Sequence, residues 1–273
     1  MPPDWIVPAW PVPASVHALC TTRAGGVSAA PYDGLNLGDH VGDAPEAVAA
    51  NRRILQQCLE RQSPGAHAVF LRQVHGVQCL HLGASTTPDG ACADACLSNT
   101  AGRVCTIMVA DCLPVLLAHR SGAVVAAAHA GWRGLAGVAG QGVLESVFKE
   151  FSALALTSQA SEAPETIARD TLVWLGPCIG PQAFEVGGEV RAAFCDHDPG
   201  AQVHFSARAG GRFLAHLPAL ARRRLAALGI TAVHGNDGSA PWCTVAQPSR
   251  FFSHRRDGAT LGGSGRFAAC VWI

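Results

Sequence analysis

The chain has 273 residues and carries 20 Lys and Arg against 20 Asp and Glu, so its formal net charge at pH 7 is zero. This balance excludes the electrostatic signature of a protein that binds nucleic acid or an anionic membrane surface. Hydrophobic residues make up 49% of the chain and charged residues 15%, which excludes extensive disorder. Lys149 is the only lysine, and the sequence contains no phosphate-binding loop of the Walker type.

Hydrophobic patterns along the chain predict interspersed helices and short buried strands. In chain order, the predicted elements are a helix at Ala44–Arg61, strands at Val104–Val109, Pro114–Ala118 and Ala123–Ala128, a helix at Gly134–Phe151, a loop at Thr157–Arg169, a strand at Thr171–Leu175, a helix at Leu214–Leu228 and a strand at Phe267–Trp272. These elements indicate an α/β or mixed α+β fold. We expect an N-terminal lead-in at residues 1–20 and a single catalytic domain at residues 21–273.

Two segments outside the buried runs also carry predictions. The arginines at 222–224 lie on the polar side of the third helix, and we expect them to face water. The segment Phe251–His254 is predicted to be a strand that runs into a turn at Arg255–Gly258.

The cysteine content and the N-terminus indicate a reduced environment inside the cell. Eleven cysteines are an odd number and follow no framework spacing, which is typical of free thiols. The N-terminal segment lacks the basic and long apolar regions of a signal peptide, and no apolar run is long enough to cross a bilayer. We therefore expect a cytoplasmic protein without a membrane partner. The sequence indicates no oligomeric state.

Three segments place a metal-ligating side chain at the end of an apolar run. They are Arg72–Gly76 with His75, Ala110–Pro114 with Asp111 and Cys112, and Ala127–Gly134 with His129. At such positions core packing holds a side chain rigidly while it still faces a cleft. Two histidines and one cysteine suit zinc, and three protein ligands leave a fourth position open for catalysis.

The same residues also fit a cysteine hydrolase or amidase. Cys112 would be the nucleophile and His129 its base, with Asp111 or a backbone carbonyl orienting the imidazole. Backbone N–H groups of the turn at Gly131–Gly134 would then stabilise an oxyanion. Taken singly, each histidine also fits a side chain satisfied within the core, and Cys112 fits a buried apolar thiol. The residues alone leave these interpretations open.

Several catalytic signatures are absent from the sequence. The twelve histidines include no His-x-His pair of the kind that multicopper oxidases require. The His-x-Glu and Pro-Cys-x-x-Cys signature of zinc deaminases and the Gly-x-Ser-x-Gly elbow of α/β-hydrolases are missing as well.

Taken in order, these and further segments resemble one protein family. The matching segments are Thr21–Ser28, Pro31–Asp43, Asn51–Arg52, Gln73–Gly76, Ala110–Val115, His129–Gly134, Gly176–Gly180, Phe184–Gly187 and Phe251–Gly258. From about Thr21 to its C-terminus, the chain resembles the bacterial purine nucleoside phosphorylases formerly named polyphenol oxidase or laccase-domain proteins. It departs from the family pattern at His254, where tyrosine is usual, and in a longer turn at Ala259–Gly265.

The resemblance implies a fold, a metal and an activity. The fold is a single-domain layered α/β/β/α sandwich with mixed sheets, and the metal is a zinc ion bound by His75, Cys112 and His129. The expected partners are purine nucleosides and phosphate, because members of the family convert adenosine, inosine and methylthioadenosine to the base and ribose 1-phosphate. They also deaminate adenosine to inosine. Copper in place of zinc, and the polyphenol oxidation of the older name, rank last because the His-x-His pairs are missing.

Within this resemblance, arginines are predicted to bind the phosphate. The candidates are Arg52, Arg133 and Arg255, with Asn36 as a neutral partner. Asp111 is predicted to be catalytic, either by supporting the metal site or as a general acid or base.

Overall fold

The structure is a computed structural model that describes residues 2, 4–83, 89–158 and 164–273. In chain order its elements are β1 (His17–Cys20), α1 (Pro45–Gln62), β2 (His67–Phe70), β3 (Cys79–His81), β4 (Ala95–Ser98), β5 (Arg103–Val109), β6 (Leu113–His119), β7 (Val125–Ala130), α2 (Trp132–Ala136), α3 (Val143–Ser158), α4 (Pro164–Ile167), β8 (Thr171–Leu175), β9 (Glu185–Val186), α5 (Gly188–Cys195), β10 (Phe205–Ala207), β11 (Phe213–Ala215), α6 (Leu217–Ala227), β12 (Ala232–Gly235), α7 (His254–Leu261) and β13 (Phe267–Trp272). No helix within these residues is long and apolar enough to span a bilayer.

Two mixed sheets form the centre of the fold. The first has the strand order β1-β13-β5-β2, and the second has the order β12-β8-β6-β7-β4-β3. Each contains parallel and antiparallel neighbours: β2 runs parallel to β5, whereas β6 and β7 are antiparallel. A small antiparallel sheet of β10, β11 and β9 completes the strands of the described residues.

The order of the helix and sheet layers can be derived from the side chains that each strand buries. In β13, Phe267, Ala269 and Val271 pack into the core between the two sheets, while Ala268, Cys270 and Trp272 pack against the core that contains Leu55 and Leu59 of α1. Alternate residues of a strand point to opposite faces, so a strand covered on both faces is apolar throughout.

Helices cover the outer face of the second sheet. Phe151 of α3 and Leu220 of α6 share a core with Val115 and Leu117 of β6. The molecule is therefore layered as α1, first sheet, second sheet and a second set of helices. The mixed α+β fold expected from the sequence is confirmed.

Two connections that cross between the sheets position the candidate site. The chain leaves β2 in the first sheet and reaches β3 in the second through residues 71–78, which include His75. It crosses again from β5 to β6 through Ala110, Asp111 and Cys112. At both crossings, polar side chains follow an apolar strand and lie next to the end of β7.

The helix predicted at Gly134–Phe151 is instead two helices, α2 and α3. The backbone has positive φ at Gly137 (66°), Ala139 (51°) and Gly140 (74°), a conformation that no right-handed helix contains. Val138 and Gln141 form an antiparallel bridge across this turn. The prediction failed because the apolar pattern continues through the turn.

The third predicted helix begins later than expected, and its arginines face water only in part. Leu214 lies in β11, and α6 starts at Leu217 after His216, whose Nδ1 accepts the N–H of Ala219 at 3.2 Å. Arg223 pairs with Asp198. Arg224 donates to Glu145 at 2.8 Å, and its side chain is 10% exposed.

Two further expectations differ from the structure. No strand forms at Phe251–His254, and the turn predicted at Arg255–Gly258 lies in α7, because the hydroxyl of Ser253 accepts the N–H of Arg256 and caps this helix. The loop predicted at Thr157–Arg169 includes the end of α3 and the short helix α4, and its residues 159–163 lie outside the described ranges. Within the expected lead-in at residues 1–20, His17–Cys20 form β1, which pairs with β13; the domain boundary at residue 21 stays a prediction.

Candidate metal centre and active site

The structure brings together His75, Cys112 and His129, which lie far apart in the sequence. One ligand atom from each lies within 4.8 Å of the others, and the Nε2 of His75 is 3.7 Å from the Sγ of Cys112. Within the residues described, this is the one group of three or more His, Cys, Asp or Glu side chains that could hold a metal ion.

Each of the three side chains is held by a different local structure. His129 is in β7, opposite Pro114 of β6, and is 4% exposed. Cys112 directly precedes β6 at the crossing between the sheets. His75 has a φ of 61°, which is uncommon for a residue other than glycine and costs of order 1 kcal/mol or more.

Asp94, which the sequence analysis missed, organises both histidines. Its carboxylate is fully buried; Oδ1 accepts the Nδ1–H of His129 at 2.8 Å and the backbone N–H of His75 at 2.9 Å. Oδ2 accepts the backbone N–H groups of Val74 at 3.2 Å and Gly76 at 2.7 Å. These bonds stabilise the strained backbone at His75. A lone aspartate beside the apolar strand β4 was the available sequence signal.

The buried charges shift one another's pKa. Burial acts to raise the pKa of the Cys112 thiol, but the charges and hydrogen bonds of His129 and His75 outweigh it and lower the pKa to about 6. Burial acts to lower the pKa of His129, yet the charge of Cys112 and the hydrogen bond to Asp94 raise it to about 9. A thiolate and an imidazolium therefore coexist near neutral pH in the metal-free site.

The residues at this site fit a metal ion. Since Asp94 holds the Nδ1–H of His129, the Nε2 of that ring is left free as a ligand, the arrangement usual for histidines that bind metals. A Cβ atom at Gly131 would lie 2.9 Å from the Sγ of Cys112 and 2.9 Å from the Cδ2 of His75. Only glycine at position 131 leaves room for the side chains of Cys112 and His75 to lie this close together.

The three side chains line a cavity of about 410 Å³, within the range of about 300–1,000 Å³ typical of small-molecule sites. Part of its wall is apolar and includes Trp132, Ile179, Phe184 and Leu217. The cavity is therefore large enough for a small organic molecule next to the candidate metal site.

Arginines supply the charge of the cavity wall. Arg133, Arg255 and Arg266 line it, and within the described part of the chain none of them forms an ion pair with a carboxylate. Arg133 lies over the ring of Trp132, with its Cζ 4.5 Å from the ring centroid. Arg255 donates from Nη1 to the backbone oxygen of Glu185 at 3.0 Å. The cavity thus combines an apolar wall with cations that have no carboxylate partner.

Asp111 lies in the cavity wall with both carboxylate oxygens occupied. Its Oδ1 accepts the hydroxyl of Thr244 at 2.5 Å, and its Oδ2 accepts the backbone N–H of Arg255 at 2.6 Å. The carboxylate therefore holds the first turn of α7, which carries Arg255 and His254, against the loop that carries Cys112.

The structure does not bring Asn36 or Arg52 to the cavity. Arg52 donates to the backbone oxygen of Leu37, pairs with Asp39 at 3.1 Å and lies 4.0 Å from the centroid of the Phe70 ring. Asn36 is fully buried, and its Oδ1 accepts a backbone N–H. Both side chains are bound to other residues of the protein outside the cavity, so neither is positioned to bind a ligand in it.

Known proteins resemble this chain over nearly its whole length. A purine nucleoside phosphorylase of Pseudomonas aeruginosa is 48% identical, and the purine nucleoside phosphorylase YfiH of Escherichia coli is 46% identical; each alignment covers 98% of both chains. The crystal structure of a Neisseria meningitidis protein of the DUF152 family superimposes with a TM-score of 0.84 at 42% identity, over 99% of both chains. Residues 17–273 match the model of the family described as multi-copper polyphenol oxidoreductase laccase, and the chain belongs to that family.

Proposed function

We propose that this chain is a zinc-dependent purine nucleoside phosphorylase that cleaves adenosine, inosine and methylthioadenosine with phosphate and also deaminates adenosine. The observation that carries the proposal is the convergence of His75, Cys112 and His129 at a cavity that also contains arginines without carboxylate partners. The activity in the names of the Pseudomonas and Escherichia relatives supports it.

Phosphorolysis requires a neutral nucleoside and an anion in one site. A phosphate oxygen forms a bond to C1′ of the ribose while the bond between C1′ and the purine nitrogen breaks, and its electron pair leaves with the purine. The apolar side chains of Ile179, Phe184 and Leu217 suit the purine. Arginines at the cavity suit the phosphate, because a guanidinium binds it through two parallel hydrogen bonds.

His75, Cys112 and His129 would hold the zinc ion, and Asp94 would keep the proton of His129 on Nδ1. When bound, the ion supplies a Lewis acid that polarises a purine atom or a water molecule, whose pKa falls towards about 7. Asp111 would position α7, since its carboxylate accepts the hydroxyl of Thr244 and the backbone N–H of Arg255.

The cysteine hydrolase remains a second candidate because Asp94, His129 and Cys112 are arranged as an orienting acid, a base and a nucleophile. This reading assigns the orienting role to Asp94 in place of Asp111. It leaves His75 without a function, although His75 is held in a strained conformation beside Cys112. A multicopper oxidase ranks last, since such an enzyme needs several copper sites and the described residues offer one three-ligand group.

The experiment combines elemental analysis of purified protein with two assays, one for phosphate-dependent release of hypoxanthine from inosine and one for deamination of adenosine. Cys112→Ala should stay folded but lose bound zinc and both activities, and His75→Ala should lose them too. Cys92→Ala, a change at an exposed cysteine outside the cavity, is the matched control and should behave as wild type. Full activity in His75→Ala would refute the three-ligand site and favour the hydrolase, whose dyad does not use His75.

A further inference from the structure

Arg266 is a cavity residue whose charge has no ion-pair partner among the described residues. Its Nη1 donates to the backbone oxygens of Ser264 at 2.8 Å and Gly265 at 3.0 Å. Within the described ranges, its Nε and Nη2 have no hydrogen-bond partner and no carboxylate forms an ion pair with it. The guanidinium therefore presents free donors to the cavity.

This charge is substantially withdrawn from water. Burial lowers the pKa of Arg266, and the negative charges of Cys112 and Asp111 only partly oppose that effect. Withdrawing a charge from water without a counter-charge is strongly unfavourable. By contrast, Arg224, which is also partly buried, is paired with Glu145. Arg266 consequently lacks the partner that a secluded arginine normally has, and an anionic ligand would supply it.

The loop at residues 36–38 fixes the position of Arg266 from across the sequence. The Oδ1 of Asn36 accepts the backbone N–H of Arg266 at 2.8 Å, and the N–H of Leu37 donates to the backbone oxygen of Arg266 at 2.9 Å. Gly38 packs on the aliphatic part of the side chain, and a Cβ atom there would lie 2.8 Å from the Cγ of Arg266. This loop, which includes Asn36, therefore fixes where the side chain of Arg266 lies in the cavity wall.

A second group, His40, lies near the guanidinium. The exposed side chain of His40 lines the same cavity, and its Nδ1 lies 3.5 Å from the Oδ1 of Asp39. Burial and the positive charge of Arg266 lower the pKa of His40, and Asp39 opposes that effect. Two neighbouring groups that can both carry positive charge disfavour each other when the cavity holds no anion. An anion between them would relieve that repulsion.

We propose that Arg266, with His40 beside it, forms the oxyanion subsite of the cavity and binds the phosphate co-substrate. This inference rests on the proposed function in naming phosphate as the ligand. Adenosine and inosine are uncharged, so a bound nucleoside would leave the guanidinium uncompensated, whereas phosphate would accept its free N–H groups and neutralise it. Arg133 and Arg255 are exposed and contribute less, because water already solvates their charges.

The test measures equilibrium binding of inorganic phosphate to the zinc-loaded protein by calorimetry, without turnover. Arg266→Gln should weaken phosphate binding about tenfold or more, since it removes charge-assisted hydrogen bonds, and should raise the KM for phosphate with little change in the KM for inosine. Arg266→Lys should give an intermediate loss because it keeps the charge but not the planar fork. Arg53→Gln, a change at an exposed arginine of α1 outside the cavity, is the control.

Unchanged phosphate affinity in Arg266→Gln would overturn the proposal, and a rise confined to the KM for inosine would assign Arg266 to the nucleoside instead. Phosphate binding that depends on Arg266 in a protein that cleaves no nucleoside would leave the subsite standing and refute the proposed function. If Arg266→Gln fails to fold, Gly38→Ala provides the test. Its Cβ displaces the Arg266 side chain, so it should weaken phosphate binding while bound zinc stays at the wild-type level. Wild-type phosphate affinity in that variant would contradict the proposal.

Discussion

Replacing Asp94 with Asn tests how one buried carboxylate supports the candidate metal centre. Each carboxylate oxygen accepts two N–H groups, one pair from His75 and His129 and the other from Val74 and Gly76. An amide keeps one of these oxygens and places an NH₂ group where the other was. In either orientation of the amide, two of the four N–H groups face its NH₂ group instead of an acceptor.

The decrease in the free energy of unfolding can be calculated from those two lost hydrogen bonds. A donor left without its acceptor costs about 1–3 kcal/mol when buried. The backbone at Val74–Gly76 is partly open to solvent, so water recovers some of the loss, and we expect a decrease of about 2–4 kcal/mol in the free energy of unfolding. The fold should survive, because typical domains are stable by about 5–15 kcal/mol. Zinc affinity should fall about 10- to 100-fold, as is usual when the carboxylate behind a metal-binding histidine is lost.

Urea unfolding of protein from which a chelator has removed the metal measures the change in the free energy of unfolding without any contribution from bound metal. Competition with a chromophoric chelator measures the change in zinc affinity. Asp196→Asn, at an exposed aspartate, controls for the change of charge and should alter neither quantity. If Asp94→Asn leaves both the free energy of unfolding and the zinc affinity at wild-type values, the role assigned to Asp94 is wrong.

Three other changes have defined outcomes. Gly131→Ala should fold but hold much less than one zinc per chain by elemental analysis, because its Cβ would lie 2.9 Å from the Sγ of Cys112. In the metal-free protein, alkylation of Cys112 by iodoacetamide should be half-maximal near pH 6, slowing as the pH falls and the thiolate is protonated, and His129→Ala should move the midpoint upward. Asp111→Ala should lower the free energy of unfolding by about 1–3 kcal/mol in urea. Asp111→Asn should cost less, because Asn tolerates the φ of 87° at this position and its amide oxygen can still accept the N–H of Arg255.

Each of these outcomes has a clear contrary result. Full zinc content in Gly131→Ala would show that the ion does not bind beside Cys112. An alkylation midpoint near the ordinary cysteine value of about 8.5 would show that His129 does not stabilise the thiolate. Equal losses in the two Asp111 variants would indicate that the charge of Asp111 matters rather than the hydrogen bonds that it accepts.

The five buried strands predicted and the positions of His75, Cys112 and His129 at the ends of apolar runs were recognisable because these signals are local. A run such as Val104–Val109 is apolar throughout since both faces of β5 are covered, and the observed strand, Arg103–Val109, differs by one residue. Polar side chains directly after such runs, as at Cys112, are conspicuous in sequence. The break between α2 and α3 was not predictable in this way, because Gly137 and Gly140 interrupt a pattern that stays apolar on both sides.

The supporting residues were missed because their partners are distant in the sequence. Asp94 bonds to His129, 35 residues away, and nothing around Asp94 indicates that its carboxylate faces two histidines. Arg266 is fixed by Asn36 across 230 residues. Sequence reasoning assigned phosphate binding to Asn36 and Arg52 from their residue types, but only the tertiary structure reveals that both side chains are already engaged by other parts of the protein.

The X-ray absorption spectrum of the zinc-loaded protein at the zinc edge tests the central claim most directly. It should contain one sulfur neighbour at about 2.3 Å and two imidazole nitrogens at about 2.0–2.1 Å. The fourth neighbour should be a light atom that changes when a ligand enters the cavity. A spectrum without sulfur, or with a fourth protein ligand that no added nucleoside or phosphate perturbs, would contradict an open three-ligand site at His75, Cys112 and His129.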